Sequence, residues 1–302
     1  MCSLSGTSHR PPIPDLTDGG VTYSTATEKA SALNSFFVKQ TFLDGQDGTP
    51  DSSSLPVNED ELLAFSTTAS DVFDVLSALP QRKAPGLDGI TTHLLRECAR
   101  GIALSLTLLI NQSFSEQCFP DPWKDAVVVP VFKRGDRSLL TNYRPIALLS
   151  SVGKVCERIV YNKLYHFVSP FLTYQQSGFR KQDGTSLQLL RLIQQWSEAL
   201  DESKYVGVVF FDLRKAFDRV RHKGLLVKLH AAGVRGNAFA WFQSYLSSRQ
   251  QRTRVEGVVS SAAPLGAGVP QGAILSPLLF IIYVNKIVHT TWASINLFAD
   301  DT

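Results

Sequence analysis

Cysteine is scarce and scattered. Cys2, Cys98, Cys118 and Cys156 are the four in the chain, spaced too widely for a disulfide framework or a zinc site, which points to a reducing, intracellular setting in the nucleus or cytoplasm. Long apolar runs are missing too. The longest, such as "LSPLLFIIYV", fall short of the roughly 20 residues that span a bilayer. The opening "MCSLSGTSHRPPIPD" has no basic stretch followed by an apolar core, so neither secretion nor a membrane partner is expected. No internal repeat occurs. What remains is a chain with 44% hydrophobic and 19% charged residues, enough to bury a substantial core.

Residues 1–56 are rich in Pro, Gly, Ser, Thr and Asp and read as an acidic linker with one short helix, "ATEKASALNSFFVKQ". Ser70 is placed to cap a helix whose apolar face is Val72, Phe73, Val75, Leu76 and Leu79, and Pro80 ends it. "KAPGLDGI" reads as a turn. Further on, "DAVVVPVF" and "KYVGVVFFDL" have the short β-branched runs of buried strands, "SSVGKVCERIVYNKLYHFV" and "TSLQLLRLIQQWSEAL" are amphipathic helices, and "SINLFAD" is a last short strand. Ser276 and Pro277 suit the N-cap and first residue of a helix over "SPLLFIIYV". Strands and helices mix without regular alternation, which predicts an α+β domain and argues against a doubly wound sheet.

Two apolar segments end on carboxylates. Asp212 follows "VVFF", and Asp300 and Asp301 follow "INLFA". An Asp pair is usual in a solvated turn, and Asp212 alone would serve as a helix N-cap. If the two segments are neighbours in one sheet, three carboxylates converge, and such a set suits hard divalent cations that take oxygen ligands. A pair of these ions activates a hydroxyl and stabilises the leaving oxygen in phosphoryl transfer.

"FFDLRKAFDRV", "GVPQGAILSPLLF" and "FADD" resemble, in order and spacing, the three palm motifs of reverse transcriptases. Upstream, "KAPGLDGI", "FPDPWKDAVVVPVFKRGDRSLLTNYRPIALLSSVGKVCERIV" and "QSGFRKQDGTSLQLL" are similar to the fingers of the type encoded by non-LTR, LINE-like retrotransposons. The resemblance covers residues 57–302. It implies a right-hand polymerase with an N-terminal extension and fingers over 57–200 and a palm over 201–302, the chain stopping before the thumb.

By this resemblance Asp212, Asp300 and Asp301 hold two Mg²⁺ ions, with Mn²⁺ as a substitute, and Leu213 adds a main-chain carbonyl. Lys133 and Arg144 grip the triphosphate, as a point charge and a forked guanidinium are suited to do. Phe217 lies under the sugar, Gln271 and Gly272 belong to a loop against nucleotide and template, and Arg180 lies near the template backbone. The implied partners are an RNA template, a DNA primer and deoxynucleoside triphosphates. Ordinary readings stand beside these: exposed charges for Lys133 and Arg144, a plain turn for "GAGVPQGA", core packing for Phe217, and an arginine partner for Asp218. An inactive retroelement remnant that at most binds nucleic acid is the alternative for the whole.

Charge is divided unevenly along the chain. Residues 1–81 carry 3 basic and 11 acidic side chains, net −8, leaving 27 basic and 16 acidic, net +11, over 82–302. A body of that sign suits a polyanion. Binding of the chain to single-stranded nucleic acid should weaken steeply between about 50 and about 200 mM salt, with little dependence on base sequence, because phosphate contacts release counterions. Filter binding across that range checks this, and a flat response would assign the charge to solubility alone.

Overall fold

The computed structural model describes residues 11–42, 58–213, 215–290 and 292–301. Near the start, β1 (Leu16–Asp18) and β2 (Val21–Tyr23) form a small antiparallel pair. Thr25 then accepts from the Glu28 amide while the Glu28 carboxylate takes the Thr25 amide, and this reciprocal cap opens α1 (Ala26–Lys39). Leu16, Leu33 and Phe37 are buried with Val128, Leu140, Tyr143 and Val255 of the main body. Residues 11–42 are thus a packed layer where a linker was expected, because α1 has an apolar stripe that the composition of its surroundings hid. The rest of that expected linker, residues 1–10 and 43–56, lies outside the described residues.

The next helix, α2 (Ala69–Ser77), is capped by Thr68 and not Ser70. Asp71 decides this, since its carboxylate returns a bond to the Thr68 amide. Helices α3 (Thr92–Glu97), α4 (Ala99–Ser115) and α5 (Asp121–Lys124) follow, then the hairpin of β3 (Ala126–Phe132) and β4 (Tyr143–Leu148). Helix α6 (Ser151–Val168) runs from the hairpin back through the core, and α7 (Thr185–Asp201) lies at the surface. Helices α8 (His222–Ala231) and α9 (Gly236–Leu246) precede β5 (Gln250–Val255), β6 (Val258–Val259) and β7 (Ala263–Pro264), and α10 (Ser276–Val284) comes last.

The sheet has the order β4-β3-β5-β6, with β7 also on β5; β3 is antiparallel to β4 and parallel to β5. The α+β expectation holds. Among the described residues no helix is long and apolar enough to cross a membrane. The main core lies between α2, α4, α6, α8, α9 and α10 and centres on Trp241, whose ring packs against Phe65, Phe114, Phe119 and Tyr245. Its indole N–H donates to Ser113 Oγ, so the one polar atom of that ring is satisfied inside the core.

Two expectations fail. "KYVGVVFFDL" is extended but forms no ladder, and its Tyr205, Val209, Phe210 and Phe211 are exposed; only Asp212 makes a β-bridge. Alternation marks residues that can pleat, but a strand also needs a partner for its N–H and C=O groups. "SINLFAD" likewise forms no strand, only isolated bridges at Leu297 and Phe298, whereas helix α7 forms where expected, with Leu189, Leu190, Ile193 and Leu200 of its apolar face exposed.

The α10 cap also differs. Ser276 is the first helical residue, with Leu275 before it, and Ser276 makes no cap bond. A carboxylate from α6 takes that place: Glu157 Oε2 accepts from the Ile274 amide at 2.6 Å and the Leu275 amide at 3.4 Å, while Oε1 accepts from the Tyr245 hydroxyl at 3.2 Å. Burial raises the Glu157 carboxyl above its ordinary 4.5, against the opposing pull of Arg249 and the two amides. The folded state therefore holds its proton longer than the unfolded chain does, and stability contributed by this group declines as pH climbs from 4.5 through the raised value. Glu157→Gln should flatten that decline in urea unfolding measured across pH. Glu157→Ala should cost about 3 kcal/mol, because the amides, the Tyr245 hydroxyl and Arg249 lose a buried partner.

Candidate active site

The acidic turn is a two-residue hairpin. Phe298 and Asp301 exchange main-chain hydrogen bonds at 2.9 and 3.1 Å, and Ala299, between them, is in the left-handed region at φ +58. That conformation is uncommon for a residue with a Cβ. It is over-determined by the segment 175–178. Gln176 is buried, and its Oε1 accepts from the Ala299 amide at 2.9 Å and the Gly178 amide at 2.8 Å while its Nε2 donates to the Ala299 carbonyl at 3.2 Å. The main chains are stitched alongside, Ser177 N–H to the Leu297 carbonyl and Leu297 N–H to that of Gln175. Gly178 is needed there, since a Cβ would lie 2.0 Å from the Ala299 nitrogen.

The other carboxylate arrives by the extended segment 204–211. Asp212 makes an antiparallel bridge with Asp301, and the Leu213 amide donates to the Asp300 carbonyl at 3.3 Å. Residues 88 positions apart, Asp212 and Asp300, are thereby main-chain neighbours. Their side chains are not drawn into one cluster: among the described residues no three His, Cys, Asp or Glu side chains are gathered closely enough to hold a metal ion. The donor set itself is all oxygen, the kind a hard cation takes.

Lys133 and Arg144 sit at the tip of the β3–β4 hairpin. Arg144 is paired with Val131, and the Lys133 amide donates to the Asn142 carbonyl at 2.8 Å, so the pleat directs both cations to one face. Both are exposed.

Beneath the hairpin lies the loop 268–273. Its outer end is seated on β4, where the Ala147 amide donates to the Gln271 carbonyl at 2.8 Å. Gly272 has φ +131, and a Cβ on it would come within 2.4 Å of the Ala147 carbonyl oxygen, so no other residue keeps this contact. Its inner end is bonded to the turn after Asp212, Gly268 N–H to the Val220 carbonyl and Val269 N–H to that of Phe217. Phe217 stacks on Phe280 of α10 with centroids 4.9 Å apart and meets Phe179 edge-on at 5.9 Å, leaving it half-buried. The Asp218 carboxylate accepts from Gln271 Nε2 at 2.9 Å. Arg180 turns inward, donating to the Thr173 carbonyl at 2.6 Å.

The hairpin and the turn after Asp212 thus hold a common loop from two sides, and this places the chain among the right-hand nucleic-acid polymerases. Residues 131–302 match the family model described as reverse transcriptase (RNA-dependent DNA polymerase), and the chain belongs to that family. It is similar to the RNA-directed DNA polymerase from mobile element jockey of Drosophila melanogaster, 32% identical over 84% of this chain and 28% of that protein. It is similar also to the probable RNA-directed DNA polymerase from transposon X-element of the same fly, 34% identical over 70% of the chain and 24% of that protein. A third relative is the Pol polyprotein from type-1 retrotransposable element R1 of Bradysia coprophila, 31% identical over 76% and 23%. The chain spans about a quarter of the length of these relatives.

Sequence reasoning missed Gln176. Its only signal was Gly178 two residues on, which marks close approach of another backbone. Gln176→Ala should leave the Ala299 N–H and C=O without their partners inside the protein, costing about 1–3 kcal/mol. Hydrogen exchange at the Ala299 amide should accelerate by tenfold or more, as about 1.4 kcal/mol would give. An unchanged exchange rate would mean the turn holds itself.

Proposed function

We propose that this chain supplies an N-terminal extension and the fingers, over 57–200, and most of the palm, over 201–302, of an RNA-directed DNA polymerase that copies an RNA template from a DNA primer with deoxynucleoside triphosphates. The observation that carries this reading is the main-chain adjacency of Asp212 to the Asp300–Asp301 turn. No periodicity argument requires two such distant acidic segments to meet, whereas nucleotidyl transfer does.

In this reading Asp212, Asp300 and Asp301 hold two Mg²⁺ ions, or Mn²⁺, with the Leu213 carbonyl beside them. The ions, when bound, supply activation of the primer hydroxyl and neutralisation of charge on the leaving phosphate. The protein's own residues do the placing. Lys133 and Arg144, on one face of the hairpin, take the triphosphate, the guanidinium by paired hydrogen bonds. Phe217, backed by Phe280, lies under the sugar and fills the space of a 2′-hydroxyl, which favours deoxynucleotides. Gln271 and Gly272 present the loop surface to nucleotide and template, and Arg180 fixes the segment that reaches toward the template.

The test is extension of a primed RNA template by the full-length product of the gene in Mg²⁺. Wild type should extend. Asp212→Asn and Asp300→Asn should each lower kcat by at least about a thousandfold, since the metals contribute several kcal/mol and each 1.36 kcal/mol is tenfold. Salt-dependent binding of template should survive in both variants. Extension undiminished in Asp300→Asn would refute the assignment.

A further inference from the structure

The Asp218 carboxylate lies against the loop 268–273, bonded to Gln271. With Gln271, Arg249, Ala147 and Val269 it lines a small pocket of ≈ 40 Å³. A space of that size admits two or three waters and neither a base nor a sugar. Burial raises the Asp218 carboxyl above its ordinary value, and the bond from Gln271, then Lys215 and Lys133, pull it back down. A carboxylate kept in so unfavourable a place calls for a reason.

The main chain of the loop does not need it. Gly268, Val269 and Gln271 are already tied through backbone hydrogen bonds to Val220, Phe217 and Ala147, which sets the path of the loop. What those bonds leave open is the Gln271 side chain. Its amide has two donors on nitrogen and an acceptor on oxygen, and a carboxylate can bond only the nitrogen. Asp218 therefore selects which way the amide is turned.

We propose that Asp218 is a positioning residue for Gln271: by accepting from Nε2 at 2.9 Å it fixes the rotamer and orientation of that amide, and so the surface that the loop offers to nucleotide and template. The inference rests on the polymerase reading above, and two separate measurements keep the two apart. In the 302-residue chain, ¹⁵N NMR should find the Gln271 side-chain amide protons protected from exchange, and Asp218→Ala should remove that protection. This outcome is independent of activity. Failure of the wild-type full-length product to extend a primer would overturn the polymerase reading alone.

In an extending enzyme, Asp218→Ala should raise the deoxynucleotide KM about tenfold with kcat within about threefold, and Gln271→Ala should do the same. The double variant should be no worse than Gln271→Ala, because the second change removes a group with nothing left to position. Gln271→Glu sets two carboxylates against each other and should raise KM further. Asp218→Asn combined with Gln271→Glu should restore it, since the asparagine nitrogen can donate where the aspartate accepted. Multiplying effects of the two alanine variants, or no recovery in the reciprocal pair, would overturn the proposal. So would unprotected Gln271 amide protons in wild type.

Discussion

The loop 268–273 is anchored at one end by a buried carboxylate. Glu157 comes from α6 and reaches the amides at the start of α10 and the hydroxyl of Tyr245 in α9. Arg249, immediately before β5, is buried beside Tyr245, bonding the Tyr245 carbonyl at 2.8 Å and lying over the Tyr245 ring at 4.8 Å, and its charge favours the ionised form of Glu157. Four elements from distant parts of the chain are thus tied by charge-assisted contacts in a place where water cannot replace them. Such an arrangement contributes little net stability compared with an apolar core of equal volume, but removing one member leaves the others stranded. That asymmetry makes it a device for registry. The start of α10 follows directly on the loop 268–273, so fixing one end of the loop at Glu157 fixes the position of Gln271 and Gly272.

The acidic residues depend on the same kind of support. Asp300 and Asp301 sit in a hairpin whose Ala299 takes a left-handed conformation, and Gln176 satisfies both main-chain polar groups of Ala299 from outside the turn. The cost of a residue out of its preferred region is of order 1 kcal/mol or more and persists only where neighbours over-determine it. Asp212, by contrast, is reached by an extended segment whose single bridge is to Asp301. Rigidity at the site therefore comes from the segment 175–178 and from the core behind the turn. It does not come from the segment that leads to Asp212.

Local sequence was a good guide wherever the physics is local. The helix over "ATEKASALNSFFVK", the strand over "AVVVPVF" and the amphipathic α6 form as their periodicity and caps require. It misled where two local signals compete or where a partner is needed. Thr68 displaced Ser70 because Asp71 completes a reciprocal cap, and Glu157 replaced Ser276 because a charged acceptor satisfies two amides at once. The exposed "KYVGVVFF" has the composition of a buried strand, but composition cannot say what lies beside it. At the site, the resemblance to reverse transcriptases pointed to the acidic residues, the two cations of the hairpin and the glycine-rich loop. It could not indicate Gln176 or the bond between Asp218 and Gln271, since an amide or carboxylate in a polar stretch looks the same whether it meets water or a neighbour.

The amino-acid sequence by itself determined the family, the α+β class and the residues that carry charge, because these rest on composition, on periods of two and 3.6, and on ordered motifs. Tertiary structure decided which of those residues meet. The main chains of Asp212 and Asp301 touch, Gly272 lies on Ala147, and Gln271 turns toward Asp218, across separations of 89, 125 and 53 positions. Contacts over such distances depend on the path of the chain as a whole, and nothing in the immediate neighbours of either residue encodes them.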